Sequence, residues 1–351
     1  MLFPSLSFGL RRELCSDWQR GGGWWLAGAL VCAFAGAARA QPLAPPPGEG
    51  PATARLPVAA SAYQVPLGAL PPAFSTSITW LPQGPSPAFG GQSENAALSN
   101  AVSGAVHVVV PHPANANTLF IGTVNGGVWR TLNAQSASPS WTPLTDQLGS
   151  LSIGALVFDP TDGANNTIVA GIGRFSSFGQ EGGPRTGLQR TVNGGSTWSE
   201  INGGGLLTGK NISGVVARGN TLVVAVNTAD VFSLPNTGIF RSVNGGASFT
   251  QISGGAGTGL PGGVCNDLTA DPVNQSVLYA PLNFSTNNGI YKSSDTGATW
   301  TRVSSAAMDA LILAGTTSNI EIAVGRNNNV FVGIINRGQL AGLFFSPDGG
   351  T

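Results

Sequence analysis

The sequence predicts an all-β chain assembled from one repeating unit. Three observations carry this reading. A pattern S/T-x-D/N-x-G-x-S/T-W/F recurs as Thr191–Trp198, Ser242–Phe249 and Ser293–Trp300, and it begins again at Ser346. Its third position falls at residues 193, 244, 295 and 348, a spacing of roughly 50 residues that marks a repeat architecture. The chain also has 51 glycines and only 9% charged residues, which suits short strands joined by tight turns, and no segment carries a long helical period.

Each position of the motif has turn chemistry. Gly195, Gly246, Gly297 and Gly350 supply positive φ where the backbone reverses. Asn193, Asn244, Asp295 and Asp348 accept bonds from backbone N–H groups further along the turn, and Thr191, Ser242, Ser293 and Ser346 do so more weakly. Trp198, Phe249 and Trp300 close the unit as large apolar residues, so both tryptophans are expected to be buried against a neighbouring unit. Turn chemistry in every copy makes these structural elements rather than active sites.

The units resemble the Asp-box (BNR) repeats of sialidase-like, sortilin-like and xyloglucanase-like β-propellers, over roughly residues 75 to 351. The resemblance implies four-stranded blades with the motif in the hairpin between the third and fourth strands. Two copies carry Asn for Asp and one carries Phe for Trp, which fits a structural role.

In chain order, residues 1–40 read as a secretory signal: Arg11, Arg12 and Arg20, the apolar run Trp24–Ala37, then Ala38-Arg39-Ala40 before Gln41. That run is too short and too rich in Gly and Ala for a membrane span. Cys15 and Cys32 leave with it, and Cys265 remains as a small buried residue with no disulfide partner. Residues 41–74 form a Pro-rich linker. Ile78-Thr79-Trp80-Leu81-Pro82 looks like a strand that follows a motif, and it is assigned to the outer strand of the last blade of the ring.

A second signature, the strand entering each motif, counts the blades: Gly127–Thr131, Gly187–Thr191, Gly238–Ser242, Gly289–Ser293 and Gly342–Ser346. The first blade has a degraded motif, with an insertion after Thr131-Leu132-Asn133. Two short apolar strands precede each signature: Val106–Val110 and Thr118–Gly122, Ala155–Phe158 and Thr167–Ala170, Val215–Ala217 and Leu222–Val226, Leu268–Ala270 and Val277–Ala280, Ile320–Val324 and Val330–Ile334. Five blades and the opening of a further turn imply part of a larger, incomplete ring.

Function is expected at the end of the ring opposite the motifs, on the loops between second and third strands. The richest runs from Gly171 to Thr186, with Arg174, Phe175, Phe178, Glu181 and Arg185. Others hold Asp230 and Phe232, Asn283 and Phe284, and Arg337. Arg, carboxylate and aromatic groups together suit a polysaccharide or protein ligand. The equal count of 16 acidic and 16 basic residues, with no basic stripe, excludes a nucleic-acid partner.

No catalytic residue, cofactor or metal site is assigned. Where xyloglucanases of related architecture carry a catalytic Asp in T-D-x-G-G, this chain has Thr123-Val124-Asn125-Gly126-Gly127; the R-I-P motif of sialidases does not occur. His107 falls in an apolar strand and reads as a core residue, and His112 lies in a Pro-His-Pro turn. Asp159 and Asp162 suffice as turn formers. The favoured function is a secreted, non-catalytic binding propeller. A glycoside hydrolase of sialidase or xyloglucanase type and an assembly or sorting factor are the alternatives that the resemblance implies.

Cleavage after Ala40 is expected in the exported protein. Mass spectrometry of the mature N-terminus should find Gln41; a mature chain that keeps Trp24–Ala37 would refute the signal.

Overall fold

The computed structural model describes residues 104–176, 180–313 and 315–350. The signal segment, the linker, the Trp80 strand and Phe178 lie outside the described residues. Within them the chain forms five antiparallel blades of a β-propeller.

Blade one is β1 (Val106–Pro111), β2 (Leu119–Thr123), β3 (Val128–Thr131) and β4 (Thr142–Pro143). Blade two is β5 (Ile153–Phe158), β6 (Ile168–Ile172), β7 (Leu188–Thr191) and β8 (Ser199–Ile201). Blade three is β9 (Lys210–Arg218), β10 (Thr221–Ala229), β11 (Gly238–Ser242) and β12 (Thr250–Gln251). Blade four has β13 (Val264–Cys265) and β14 (Thr269–Ala270), both paired to β15 (Leu278–Asn283), then β16 (Gly289–Ser293) and β17 (Thr301–Arg302). Blade five shows β18 (Thr317–Val324), β19 (Val330–Asn336) and β20 (Gln339–Ser346). The one α-helix among the described residues, α1 (Ala306–Asp309), leads into blade five.

Most expected strands are present with ends shifted by a few residues. The expected strand Leu268–Ala270 is instead two pieces, β13 and β14, because residues 266–268 leave the ladder.

The core lies between blades. Strand alternation sends successive side chains to opposite faces, so β10 contributes Leu222, Val224 and Val226 to one cluster and Val223 and Ala225 to the next. Four clusters fill the four interfaces between successive blades. The second strands are therefore apolar on both faces.

The motif forms the third-to-fourth strand hairpin, as its chemistry predicts. In the Ser293 copy, Oγ donates to Asp295 Oδ1 (2.8 Å) and accepts from Gly297 N (2.8 Å), while Thr299 N donates to Asp295 Oδ1 (2.9 Å). The Thr191 and Ser242 copies repeat these bonds within about 0.2 Å. Asn and Asp are interchangeable because the seventh-position hydroxyl can donate or accept. Thr299 Oγ1 donates to Asp295 Oδ2 (2.6 Å), whereas Thr197 Oγ1 accepts from Asn193 Nδ2 (2.8 Å). The degraded motif of blade one keeps its first half, with Thr131 Oγ1 donating to Asn133 Oδ1 (2.9 Å).

The fifth-position glycines are required twice over. Gly195 and Gly246 have φ of 93° and 91°, and a Cβ there would strike Leu144 and Ile201 of the preceding blade. At three of the four interfaces between successive blades, a cation one residue before the motif ties that blade to the next. Arg130 Nη1 donates to Gly194 O (2.9 Å), Arg241 Nε to Thr296 O (2.9 Å) and Lys292 Nζ to Gly349 O (2.8 Å). The acceptor is the fourth motif position each time. Blade five has Phe345 at the cation's position, largely exposed and tilted against Phe331 with ring centroids 4.8 Å apart.

The closing aromatics differ from expectation. Trp300 is 4% exposed and Phe249 8%, but Trp198 is only half-buried. Trp300 lies under residues 252–263, which reach it through Thr258 and Gly259; its backbone N–H donates to Thr258 O (2.8 Å) and its indole N–H to Gly297 O (3.1 Å). Trp300→Ala should cost about 3–5 kcal/mol of stability, the range for emptying a large aromatic site. Trp198→Ala should cost clearly less. Chemical denaturation of both variants checks this, and equal midpoints would show that burial of the closing aromatic is not what stabilises the hairpin.

Candidate functional site

The first strands of successive blades stand side by side: β1 beside β5, β5 beside β9, and β14 between β9 and β18. Each departs from regular pairing at the same level. The ladder skips His107 in β1, Gly154 in β5, Ser213 in β9 and Ser318 in β18, and it releases residues 266–268 between β13 and β14. A bulge re-aims the side chains beside it. Here five of them surround a cavity of about 310 Å³, lined by residues from all five blades. It lies at the blade-linking end of the channel, opposite the motif hairpins.

His107 and Phe175 form one wall, with ring centroids 4.5 Å apart and planes inclined by 18°. Gly154 and Gly173 create the slot for the Phe175 ring, since a Cβ at either would collide with it and with the Ile212 carbonyl. His107 is thus exposed on the channel wall, not a core residue; the bulge turns it out of the apolar face that its neighbours share. Partial burial lowers its pKa, against a hydrogen bond to the Gly154 backbone and the charge of Glu321.

The opposite wall carries Asn266, Asp267, Asn319 and Glu321. Asp267 Oδ1 accepts from Leu268 N (2.7 Å) and Oδ2 from Ile322 N (2.7 Å), so this side chain joins blade four to blade five. Burial of its carboxyl and then the charge of Glu321 push its pKa up to about 7, although both backbone bonds oppose the shift. Asn319 Nδ2 donates to Glu321 Oε1 (2.6 Å). Asn266 Oδ1 is buried without a hydrogen-bond partner among the described residues. Beneath it the Cys265 thiol is buried and its pKa pushed up, first by burial. No Lys or Arg lines the cavity.

Of the residues singled out from sequence, Phe175 alone lines this cavity. Arg174 folds back on its loop, with Nε donating to Gly183 O (2.8 Å) and its backbone N donating to Asn211 Oδ1 (2.5 Å). Arg185 and Asp230 form an ion pair between blades two and three at 2.7 Å, with burial lowering the Arg185 pKa. Glu181 is exposed, and its carbonyl accepts from Asn125 Nδ2 (3.1 Å). Asn283 is buried and donates to Thr317 O (3.3 Å) across blades four and five. Phe232 is exposed; Phe284 and Arg337 sit at turns with φ of 51° and 49°.

His107, Asn266, Asp267 and Glu321 were not singled out for ligand binding. A signal existed: each interrupts an otherwise apolar first strand, as in Val106-His107-Val108 and Ile320-Glu321-Ile322. Asp159 and Asp162 form the expected turn, with Asp159 Oδ1 accepting from Thr161 N (3.0 Å) and Asp162 Oδ1 from Ala164 N (3.0 Å). Among the described residues no group of three His, Cys, Asp or Glu side chains could hold a metal ion, and no helix is long and apolar enough to cross a membrane.

No family model and no curated protein matches the chain. Solved structures do at low identity. The GH74 xyloglucanase from Xanthomonas campestris has a TM-score of 0.45 at 20% identity, over 69% of this chain and 36% of its own. YCF48 from Cyanidioschyzon merolae has 0.43 at 15%, over 70% and 67%. An auxiliary nutrient binding protein from Bacteroides thetaiotaomicron has 0.41 at 10%, over 69% and 57%. The chain spans about a third of the first GH74 enzymes it matches, 31% and 36% of their lengths. The propeller itself rests on this chain's own strand order.

The raised carboxyl fixes a pH dependence. Asp267 holds its proton up to about pH 7 when folded and, as a free carboxyl, only to about 4 when unfolded. The folded state therefore binds more protons between these values, and stability falls as pH rises through that window. His107, with its folded pKa lowered, works in the opposite direction near its own titration. Denaturation at pH 4.5 and pH 8 should show a decline in wild type that is smaller by a few kcal/mol in Asp267→Asn. Identical declines would mean that this carboxyl is not held protonated.

Proposed function

We propose that this chain is an exported, non-catalytic binding module whose ligand, a polysaccharide or protein, docks at the blade-linking end of the channel. The observation that carries the reading is the stacked His107–Phe175 pair on the wall of the 310 Å³ cavity. Flat aromatic surface beside hydrogen-bonding groups is the usual chemistry of a ligand pocket. The secretory signal expected from residues 1–40 fits an exported protein, and the motif hairpins at the other end hold the blades.

One observation favours a second reading, a glycoside hydrolase. A carboxyl whose pKa stands at about 7 beside another carboxylate is the protonation pattern of a general acid and its partner. Against it, both Asp267 oxygens already accept backbone N–H groups and hold two blades together.

Glycan arrays and peptide pull-downs with the full chain, wild type against Phe175→Ala, decide between them. Binding should weaken by about 1–3 kcal/mol, as for an anchor residue at an interface, with the circular dichroism spectrum kept. Undiminished binding would remove the cavity from the function. Release of reducing sugar by wild type, lost in Asp267→Asn, would establish the enzyme instead.

A further inference from the structure

We propose that this cavity receives an arginine side chain of a peptide or protein ligand, with the guanidinium laid against the His107–Phe175 pair and bonded to the Asp267–Glu321 wall. The inference deepens the binding reading and rests on it.

The wall chemistry points one way. Asn266 Oδ1 is an orphaned acceptor, and Asp267 and Glu321, although they accept N–H groups, have no cation lining the cavity to balance their charge. The complementary ligand is rich in donors and positively charged. A guanidinium has five N–H groups in a planar fork, so it can bond a carboxylate on its edge and stack an aromatic ring on its face. His107 and Phe175 offer that ring surface across the cavity from the carboxylates. A neutral sugar ring would stack as well, but it would leave the Glu321 carboxylate without a counter-charge. An ammonium would answer the charge but not the flat surface.

The pH response follows from the groups that face Asp267. Glu321 on β18 stands against it, the Cys265 thiol lies below, and His107 on β1 shares the field of Glu321. A guanidinium favours the ionised Asp267. Binding below about pH 7 therefore expels its proton, and affinity rises with pH. Protonation of His107 at low pH adds a repulsion of the same sign.

Fluorescence anisotropy would be measured on the full chain with labelled Gly-Gly-Xaa-Gly-Gly peptides, where Xaa is arginine, lysine or citrulline. Citrulline keeps the shape of arginine and removes the charge. The expected order is arginine over lysine over citrulline, with at least tenfold between the first and last at pH 8. Affinity for the arginine peptide should fall several-fold at pH 5.5. Glu321→Gln, an exposed position that should not affect folding, should cost about tenfold, and Asp267→Asn should flatten the pH response. Equal binding of arginine and citrulline peptides, no binding of either, or an unaltered affinity in Glu321→Gln overturns the proposal. If a neutral oligosaccharide binds and is lost in Phe175→Ala, the cavity stands as the ligand site and the guanidinium assignment falls. If neither class of ligand responds to Phe175→Ala, both fall together.

Discussion

Three of the four interfaces between successive blades share one bond. A cation from the third strand of one blade donates to the fourth carbonyl of the next blade's motif, as Arg130 does to Gly194, Arg241 to Thr296 and Lys292 to Gly349. That carbonyl is available because the motif has turned it outward. Its position is fixed by the Ser or Thr hydroxyl and the Asp or Asn carbonyl oxygen within the same hairpin. The local turn and the contact between blades are therefore one system. Charge-assisted bonds of this kind are shorter and stronger than neutral ones, and here each accompanies a large apolar cluster between the same two blades.

The same arrangement frees the opposite end. With pairing and packing secured by second and third strands, the first strands can leave the ladder near the cavity without loss of the blade. All five do so at one level, and there, among the described residues, the titratable groups that line the channel cavity are His107, Asp267 and Glu321. Asp267 serves both ends of this division. It holds β18 through the Ile322 N–H, and it brings a carboxyl of unusual basicity to the cavity surface.

Blade five shows what the repeat looks like without its bond. Phe345 replaces the cation, and Phe331, Leu343 and Phe345 are exposed. The motif at Ser346 still closes in the standard way, with Ser346 Oγ donating to Asp348 Oδ1 (2.6 Å). Turn formation and attachment to the next blade are thus separable, since the first needs only residues of the hairpin and the second needs a side chain one position before it.

By itself, the sequence determined the repeat, the blade count within it and the place of each motif. The reason is that these are local: the side chains of Ser293, Asp295 and Thr299 bond within their own hairpin, so their spacing carries the whole turn. It also marked Phe175, because an aromatic in a long loop stands out. It could not separate Phe175 from Arg174 and Arg185, whose partners, Gly183 and Asp230, are chosen by how the loop folds back and by the next blade. The ligand cavity was decided only by tertiary structure. His107, Asn266, Asp267 and Glu321 are more than 200 residues apart at the extremes, and each lies in a short polar interruption of an apolar strand. A departure from the ladder at each position and the arrangement of five blades around one axis bring them to one surface, and neither is written in any one of the strands.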